Sequence, residues 1–413
     1  MIVWPESAVW WQVYPLGFTG APASASPGEP VAHRLRGLEP WLDYLAGLGC
    51  TGLALGPVFA SETHGYDTVD HFRIDPRLGD EGDFDRLVAA LRERGLRLLL
   101  DGVFNHVGRG FPVFRRALEG DPEAARWFRR TGDDPAGGYA TFEGHHALVA
   151  LNHAEPAVAA HVEAVLSHWL DRGADGWRLD AAYAVPPGFW RRVLPPVRAR
   201  HPGAWFAGEM IHGDYASYVA ESGLDSVTQY ELWKAIWSSL NDRNLFELAW
   251  ALDRHDAFAE KFLPLTFVGN HDVTRIATRL DDPRHLGHAL AILFTVAGTP
   301  AVYYGDERAM EGVKEDRPGG DDAIRPPFPA VPFAGSPPEA HTLHRELIAL
   351  RRANPWLARA RTEVLHLTNE AMAYASAAGD RRLTVLLNTA DTPYAFPGGL
   401  GTVAAHSWSV VPG

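Results

Sequence analysis

Short apolar runs alternate with amphipathic helical runs along most of this chain, and that alternation restricts its fold more than any other feature. Leu38, Trp41, Leu42, Leu45 and Leu48 recur at helical spacing, Gly49 stops the run, and residues 51–57 read as a short apolar strand. Phe84, Leu87, Val88 and Leu91 mark the next helix, ended at Gly95, and residues 96–100 form an apolar strand closed by Asp101. Strands are expected also near 9–18, 176–180, 205–211, 226–230, 263–268 and 301–304, with the clearest intervening helix over 286–296. Strands that are apolar on both faces and separated by helices pair in parallel under a helical cover. Eight such units predict an α/β fold, a TIM (β/α)8 barrel.

Two stretches interrupt the pattern. Residues 107–152 are irregular, with Asp133-Asp134-Pro135 and Gly137-Gly138, and are too long for a plain connection. They predict a short inserted subdomain after the third strand. A Pro/Gly-rich loop over 312–338 follows the eighth strand, and a last helix is expected over 339–353. From about residue 361 the pattern changes to short strands such as 383–387, a small C-terminal all-β domain. The expected borders are 1–106 and 153–358 for the two parts of the barrel, 107–152 for the insertion and 359–413 for the β domain.

Composition narrows the partners. Hydrophobic residues make up 46% of the 413 and charged ones 22%, the balance of a soluble globular protein. A net charge of −13 argues against nucleic acid or an anionic membrane surface as partner. Cys50 is the single cysteine, so no internal disulfide forms, and its apolar surroundings make it a core residue. No apolar run is long enough to span a bilayer. The first six residues lack a signal peptide's basic start and apolar core, so a cytoplasmic location is expected.

A barrel of this kind does its chemistry at the C-terminal ends of its strands. Here those ends carry Asp101, Asn105 and His106; Arg178 and Asp180; Glu209; Asn270, His271 and Asp272; and Asp306 and Glu307. Strand alternation puts Arg178 and Asp180 on one side. A guanidinium there favours the ionised carboxylate that a covalent mechanism needs as nucleophile. Taken alone, that motif reads equally as an ion pair holding the barrel together. No zinc-type spacing, phosphate loop, dinucleotide fingerprint or nucleophile elbow is present. Paired carboxylates with histidines and aromatic residues point instead to glycoside chemistry.

Asp101-Gly-Val-Phe-Asn105-His106, Gly176-Trp-Arg178-Leu-Asp180, Gly208-Glu209 and Phe267-Val-Gly-Asn270-His271-Asp272 resemble, in order, the four signature regions of the α-amylase superfamily. His64-Gly65-Tyr66-Asp67 and the stretch 298–307 resemble two further regions of it. The resemblance implies Asp180 as nucleophile, Glu209 as general acid/base and Asp272 as transition-state stabiliser, with Arg178 holding Asp180 ionised. It implies that His106 and His271 hydrogen-bond the sugar at the point of cleavage, that Tyr66 stacks on it, and that His64 lies beside it. Asp101 and Asn105 are similar to residues that support the site. Asp321 and Arg325 match a D-x-x-x-R pattern by which some members hold the same sugar; an exposed loop ion pair is the plainer alternative. Met210, His212 and Trp233 are the expected acceptor-side residues.

The chain also departs from the family. Tyr183-Ala184 stands where many calcium-binding amylases have Lys-His, and the insertion closes as Leu148-Val-Ala-Leu-Asn152 without the usual acid. No cofactor or metal is therefore expected, and calcium at Asn105 least of all. The departure resembles the cyclodextrinase, neopullulanase and oligosaccharide-cleaving branches. It implies a retaining hydrolase of maltooligosaccharides, cyclodextrins or related short α-glucans, with a homodimer as the protein partner to look for. Two alternatives stay open: a transglycosylase or isomerase, such as a trehalose-forming enzyme, and a non-catalytic barrel serving as an interaction subunit. Asp180, Glu209 and Asp272 together argue against the last.

Overall fold

The computed structural model describes residues 4–25, 28, 30–131, 138–317 and 319–412. Asp133, Asp134, Pro135 and Gly137 of the insertion, and the first three residues, lie outside the described residues. Eight parallel strands run in order around one sheet: β1 (Trp10–Val13), β2 (Gly52–Leu55), β3 (Arg97–Gly102), β4 (Gly176–Leu179), β5 (Trp205–Gly208), β6 (Ser226–Val227), β7 (Leu265–Phe267) and β8 (Thr299–Tyr303). β1 pairs with both β2 and β8, and a single parallel bridge between Thr228 and Leu265 closes the seam between β6 and β7.

Several strands are shorter than the sequence suggests. β5 stops at Gly208 rather than 211, and β6 at Val227 rather than 230. The first run divides into β1 and a short helix, Pro15–Phe18, opened by its proline. In each case the chain turns outward at the barrel mouth, where strands stop pairing and loops begin. Gly176 opens β4 because a Cβ there would sit 2.2 Å from the Trp205 carbonyl oxygen.

The covering helices follow from local chemistry. The helix Glu81–Glu93 starts at Asp80, whose side chain accepts the Asp83 N–H while that of Asp83 accepts the Asp80 N–H. Its Phe84, Leu87, Val88 and Leu91 face the barrel, fully buried. The helix Leu286–Thr295 is apolar all round, and Gly287 to Thr295 are buried without exception. The C-terminal domain explains this by covering the face the barrel leaves: a Cβ on Gly287 would meet Trp408 Nε1 at 2.2 Å. That domain is an antiparallel sheet of Arg361–Leu367, Ala371–Ala378, Arg381–Asn388 and Ser407–Pro412. The last helix before it runs Glu339–Ala353.

After β3 the chain forms a three-stranded antiparallel sheet from His106–Gly108, Thr141–Phe142 and His145–Ala150, with two short helices between the first two strands. A hairpin, Phe59–Ser61 with Thr68–Ile74, follows β2 and was not distinguished in the sequence. Cys50 is buried and unpaired. Among the described residues no helix is long and apolar enough to cross a membrane.

Candidate active site

Register fixes the site before any side chain is considered. Asp101 of β3 lies beside Arg178 of β4, and Arg178 lies beside Ala207 of β5. Asp180 stands two residues beyond Arg178 and Glu209 two beyond Ala207, so all four side chains share one face at the strand ends. The Arg178 guanidinium, its side chain 8% exposed, joins them. Nη1 donates to both oxygens of Asp101 at 2.8 Å and to Asp180 Oδ1 at 2.9 Å; Nη2 makes an ion pair with Glu209 Oε1 at 2.6 Å and stands 4.0 Å from Asp272 Oδ2.

Arg178 pulls Asp180 toward its ionised form, but against other influences. One guanidinium is shared among several carboxylates. Burial pushes Asp180 well above the usual carboxylate range; Arg178 opposes this, while Glu209, Asp101 and Asp272 add to it. Asp272 goes the other way. Its own burial is outweighed by His271, Arg325 and Arg178, which hold it well below the usual range. His271 Nε2 lies 2.9 Å from Asp272 Oδ2, Arg325 donates to Oδ1 at 2.9 Å, and the Asp272 N–H donates to Asn270 Oδ1 at 2.8 Å. Two carboxylates in one site are thus pushed in opposite directions.

Glu209 is fixed from two sides. Its Oε2 accepts the Ala181 N–H at 2.9 Å, and the Tyr230 hydroxyl stands 3.4 Å from Oε1. Ala181 aims that N–H from a left-handed conformation, φ 44°, costly for a residue with a Cβ. Tyr66 donates its hydroxyl to Asp101 Oδ2 at 3.1 Å and also contacts His271 Nε2, their rings parallel at 5.4 Å. Gln12 holds the other His271 nitrogen at 3.1 Å.

A cleft of about 470 Å³ opens over this cluster, lined by Tyr66, His106, Asp180, Glu209 and Asp272. Phe142, Glu143 and His145 of the insertion form one wall, Ile211, Tyr230 and Trp233 another. His64, Asp321 and Arg325 line both this cleft and an adjoining groove of about 730 Å³, which continues over Tyr14, Pro22 and Thr63.

Most of the expected residues meet here, with corrections. Met210 does not: its side chain is 3% exposed and packs into the core. His212 is exposed and lies against Tyr183 at 5.1 Å, outside the cleft lining. Asp321 and Arg325 are not an exposed loop pair. The Arg325 side chain is 9% exposed and bridges Asp321 at 2.8 Å to Asp272. His106 reaches the cleft, but Nε2 bonds the Tyr66 carbonyl, Nδ1 faces the Asn105 amide at 3.1 Å, and Phe142 stacks on its face at 4.7 Å. Burial pushes its pKa down to about 3, so it is neutral. To hold a sugar hydroxyl it must exchange one of these partners.

Sequence reasoning missed Phe142, Glu143 and Tyr230. Tyr230 opens the helix Tyr230–Asn241 just beyond β6, a position that could have marked it. Nothing local singles out Phe142 and Glu143, which reach the cleft through pairing of distant strands. Among the described residues, the donors at Asn105 do not fit a calcium ion. Asn105 Oδ1 is buried without a hydrogen-bond partner, but it is one oxygen where calcium needs six to eight. The nearby Asn152 side-chain oxygen accepts the Ala154 N–H at 3.2 Å.

An eight-stranded parallel barrel, an insertion after β3, a β domain behind it and carboxylates gathered on one arginine at the strand ends define the architecture of a glycosidase catalytic domain. The family model described as the catalytic domain of α-amylase matches residues 12–343, and the chain belongs to the α-amylase family of glycoside hydrolases. It is 31% identical to a cyclomaltodextrinase of Geobacillus thermopakistaniensis strain MAS1, over 95% of this chain and 71% of that protein. It is 30% identical to neopullulanase 2 of Thermoactinomyces vulgaris, over 93% of this chain and 70% of that protein. Against a second cyclomaltodextrinase and an intracellular maltogenic amylase, both from Bacillus, it spans only 60% and 56% of their lengths. The ligand-free cyclic α-maltosyl-(1→6)-maltose hydrolase of Arthrobacter globiformis superposes with a TM-score of 0.84 at 26% identity, covering 100% of both chains.

Proposed function

We propose that this chain hydrolyses α-glucosidic bonds in maltooligosaccharides, cyclodextrins or related short α-glucans, with retention. The observation that carries the reading is the single Arg178 guanidinium touching Asp101, Asp180 and Glu209, with Asp272 4.0 Å away, at the floor of a cleft. Asp180 attacks the anomeric carbon, and Glu209 gives its proton to the leaving oxygen and later takes one from water. Asp272, the acid held ionised, faces the positive charge that grows on the ring. Relatives named for cyclic and branched maltodextrins support the substrate class. The adjoining groove, continuous with the cleft through His64, Asp321 and Arg325, supports a chain of several sugars.

In the same reading the domain borders are 106/107, 152/153 and 358/359, supported by the pairing of Val107 with Val149 and of Gly108 with Leu148 inside the insertion and by the first strand of the C-terminal sheet at Arg361. A cytoplasmic location and self-association into a homodimer belong to it as well. The test is incubation with maltotriose, cyclodextrin, pullulan, isomaltose and trehalose, read by chromatography. Release of glucose or maltose from maltotriose or cyclodextrin is expected. Products longer than the substrate would make it a transglycosylase, and inertness on the whole panel would end the reading.

A further inference from the structure

Where the barrel meets the C-terminal sheet, three side chains point at one spot. Asp282 caps the short turn Pro283–His285, which leads into the helix Leu286–Thr295. His406 comes from the loop before the last strand of the β domain, 121 residues beyond His285. His285 is 2% exposed and His406 7%. Their facing nitrogens, His285 Nε2 and His406 Nδ1, are 3.1 Å apart, and His406 Nδ1 is 3.6 Å from Asp282 Oδ2. All three donor atoms lie within 4.8 Å of one another.

A fourth residue sets the chemistry. Asp391 Oδ1 accepts from His406 Nε2 at 2.7 Å. That bond puts the His406 proton on Nε2 and turns the Nδ1 lone pair inward, toward the other two donors. A carboxylate behind a histidine in this way is the usual support of a metal ligand. Bonds of about 2.0–2.1 Å in a tetrahedral zinc site leave its ligand atoms about 3.3 Å apart, between the two distances observed.

We propose that Asp282, His285 and His406 form a structural site for a divalent transition metal of the zinc type, which clamps the C-terminal domain onto the barrel. Two imidazoles and one carboxylate suit zinc, and a water completes the four ligands. The bound ion takes Asp282 Oδ2 from Arg284, which now holds it at 2.6 Å from a side chain 58% exposed and able to turn to solvent. Arg243, on Asp391 at 3.2 Å, stays where it is and steadies the supporting carboxylate. The donors are too scattered along the chain for any spacing motif to show them. The site also lies away from the proposed catalytic carboxylates, so its occupancy bears on stability and not on the chemistry of the cleft.

The competing account is a plain proton chain in which His285 Nε2 donates to His406 Nδ1. The two are separated by titrating zinc chloride into the chelator-treated, dialysed protein, with calorimetry, metal analysis and thermal melts. Cobalt(II) absorption then reports coordination geometry. One zinc per chain is expected, with a raised Tm and the strong visible bands of tetrahedral cobalt. His406→Gln should abolish this binding. Because that residue is buried, Asp391→Asn, changed at a carboxylate whose side chain is 72% exposed, serves as the second variant. It should leave the fold intact and weaken zinc by about 10–100-fold. No stoichiometric zinc, or zinc bound equally by wild type, His406→Gln and Asp391→Asn, would overturn the proposal.

Discussion

At the scale of single residues, the site is a competition among charges for too few cations. Asp180 is raised by burial and by its acidic neighbours, so the fold disfavours its ionised form. Its contribution to stability is complete below the unfolded carboxylate pKa of about 3.9 and declines as pH rises through the raised value. Asp180→Asn removes that penalty. It should therefore abolish turnover and yet stabilise the protein at pH 7 by about 1–2 kcal/mol, the gain fading toward pH 4. Asp272 has the opposite sign. Its lowered pKa stabilises the fold above about pH 3.9 and is lost as pH falls. Asp272→Asn should cost roughly 1.5–3 kcal/mol at pH 7, since it weakens charged hydrogen bonds to Arg325 and His271. Denaturant melts at pH 4 and pH 7 check both; variants that shift stability in the same direction would contradict the electrostatic reading. Glu209→Gln should lower turnover of maltotriose by about 10²–10⁴-fold but still release a first equivalent of leaving group from an activated aryl glucoside, which needs no proton, before hydrolysis of the ester stalls for want of a base. Loss of that first burst would remove Glu209 from the acid role.

At the scale of elements, what the sequence shows depends on whether the signal is local. Apolar runs closed by Gly49 and Gly95, and acids closing strands, are local, and they place the eight strands and the helix Glu339–Ala353. Met210 was expected on the acceptor side, but it directly follows the cleft-facing Glu209 and packs into the core instead. The insertion also hid its contribution. Thr141–Phe142 acquires its position by pairing with His145–Ala150, which in turn pairs with the strand at His106. That nested pairing lays Phe142 on the His106 ring. Phe142→Ala should loosen this wall of the cleft and raise KM for maltotriose by about 3–10-fold, the worth of one aromatic contact, with kcat nearly unchanged. Steady-state kinetics decide it; a fall in kcat at constant KM would assign Phe142 to the chemistry instead.

At the scale of the whole molecule, the C-terminal sheet and the barrel share the apolar helix Leu286–Thr295, so neither face of that helix is left to water. The alternation of elements made the barrel legible, and the switch to strands near 361 made the second domain legible. Their packing was not, since it rests on contacts such as Gly287 with Trp408 that no periodicity announces. The donors around Asn105 do not make a calcium site, and the proposed mechanism routes no step through a metal. Turnover at 25 °C should accordingly survive EDTA. Loss of activity in EDTA that calcium, and not zinc, restores would contradict the donor argument.

The central claim is that Asp180 forms a covalent glycosyl ester at the end of β4, although burial beside other acids raises its pKa. A 5-fluoro-α-glucosyl fluoride tests it most directly, because the ring fluorine slows breakdown of the ester while the fluoride leaving group lets it form. Peptide mass spectrometry of the inactivated protein should then place one sugar on Asp180, and NMR of ordinary turnover should show the α-anomer as the first product. A sugar on any other carboxylate, or a β-anomer appearing first, would contradict the account.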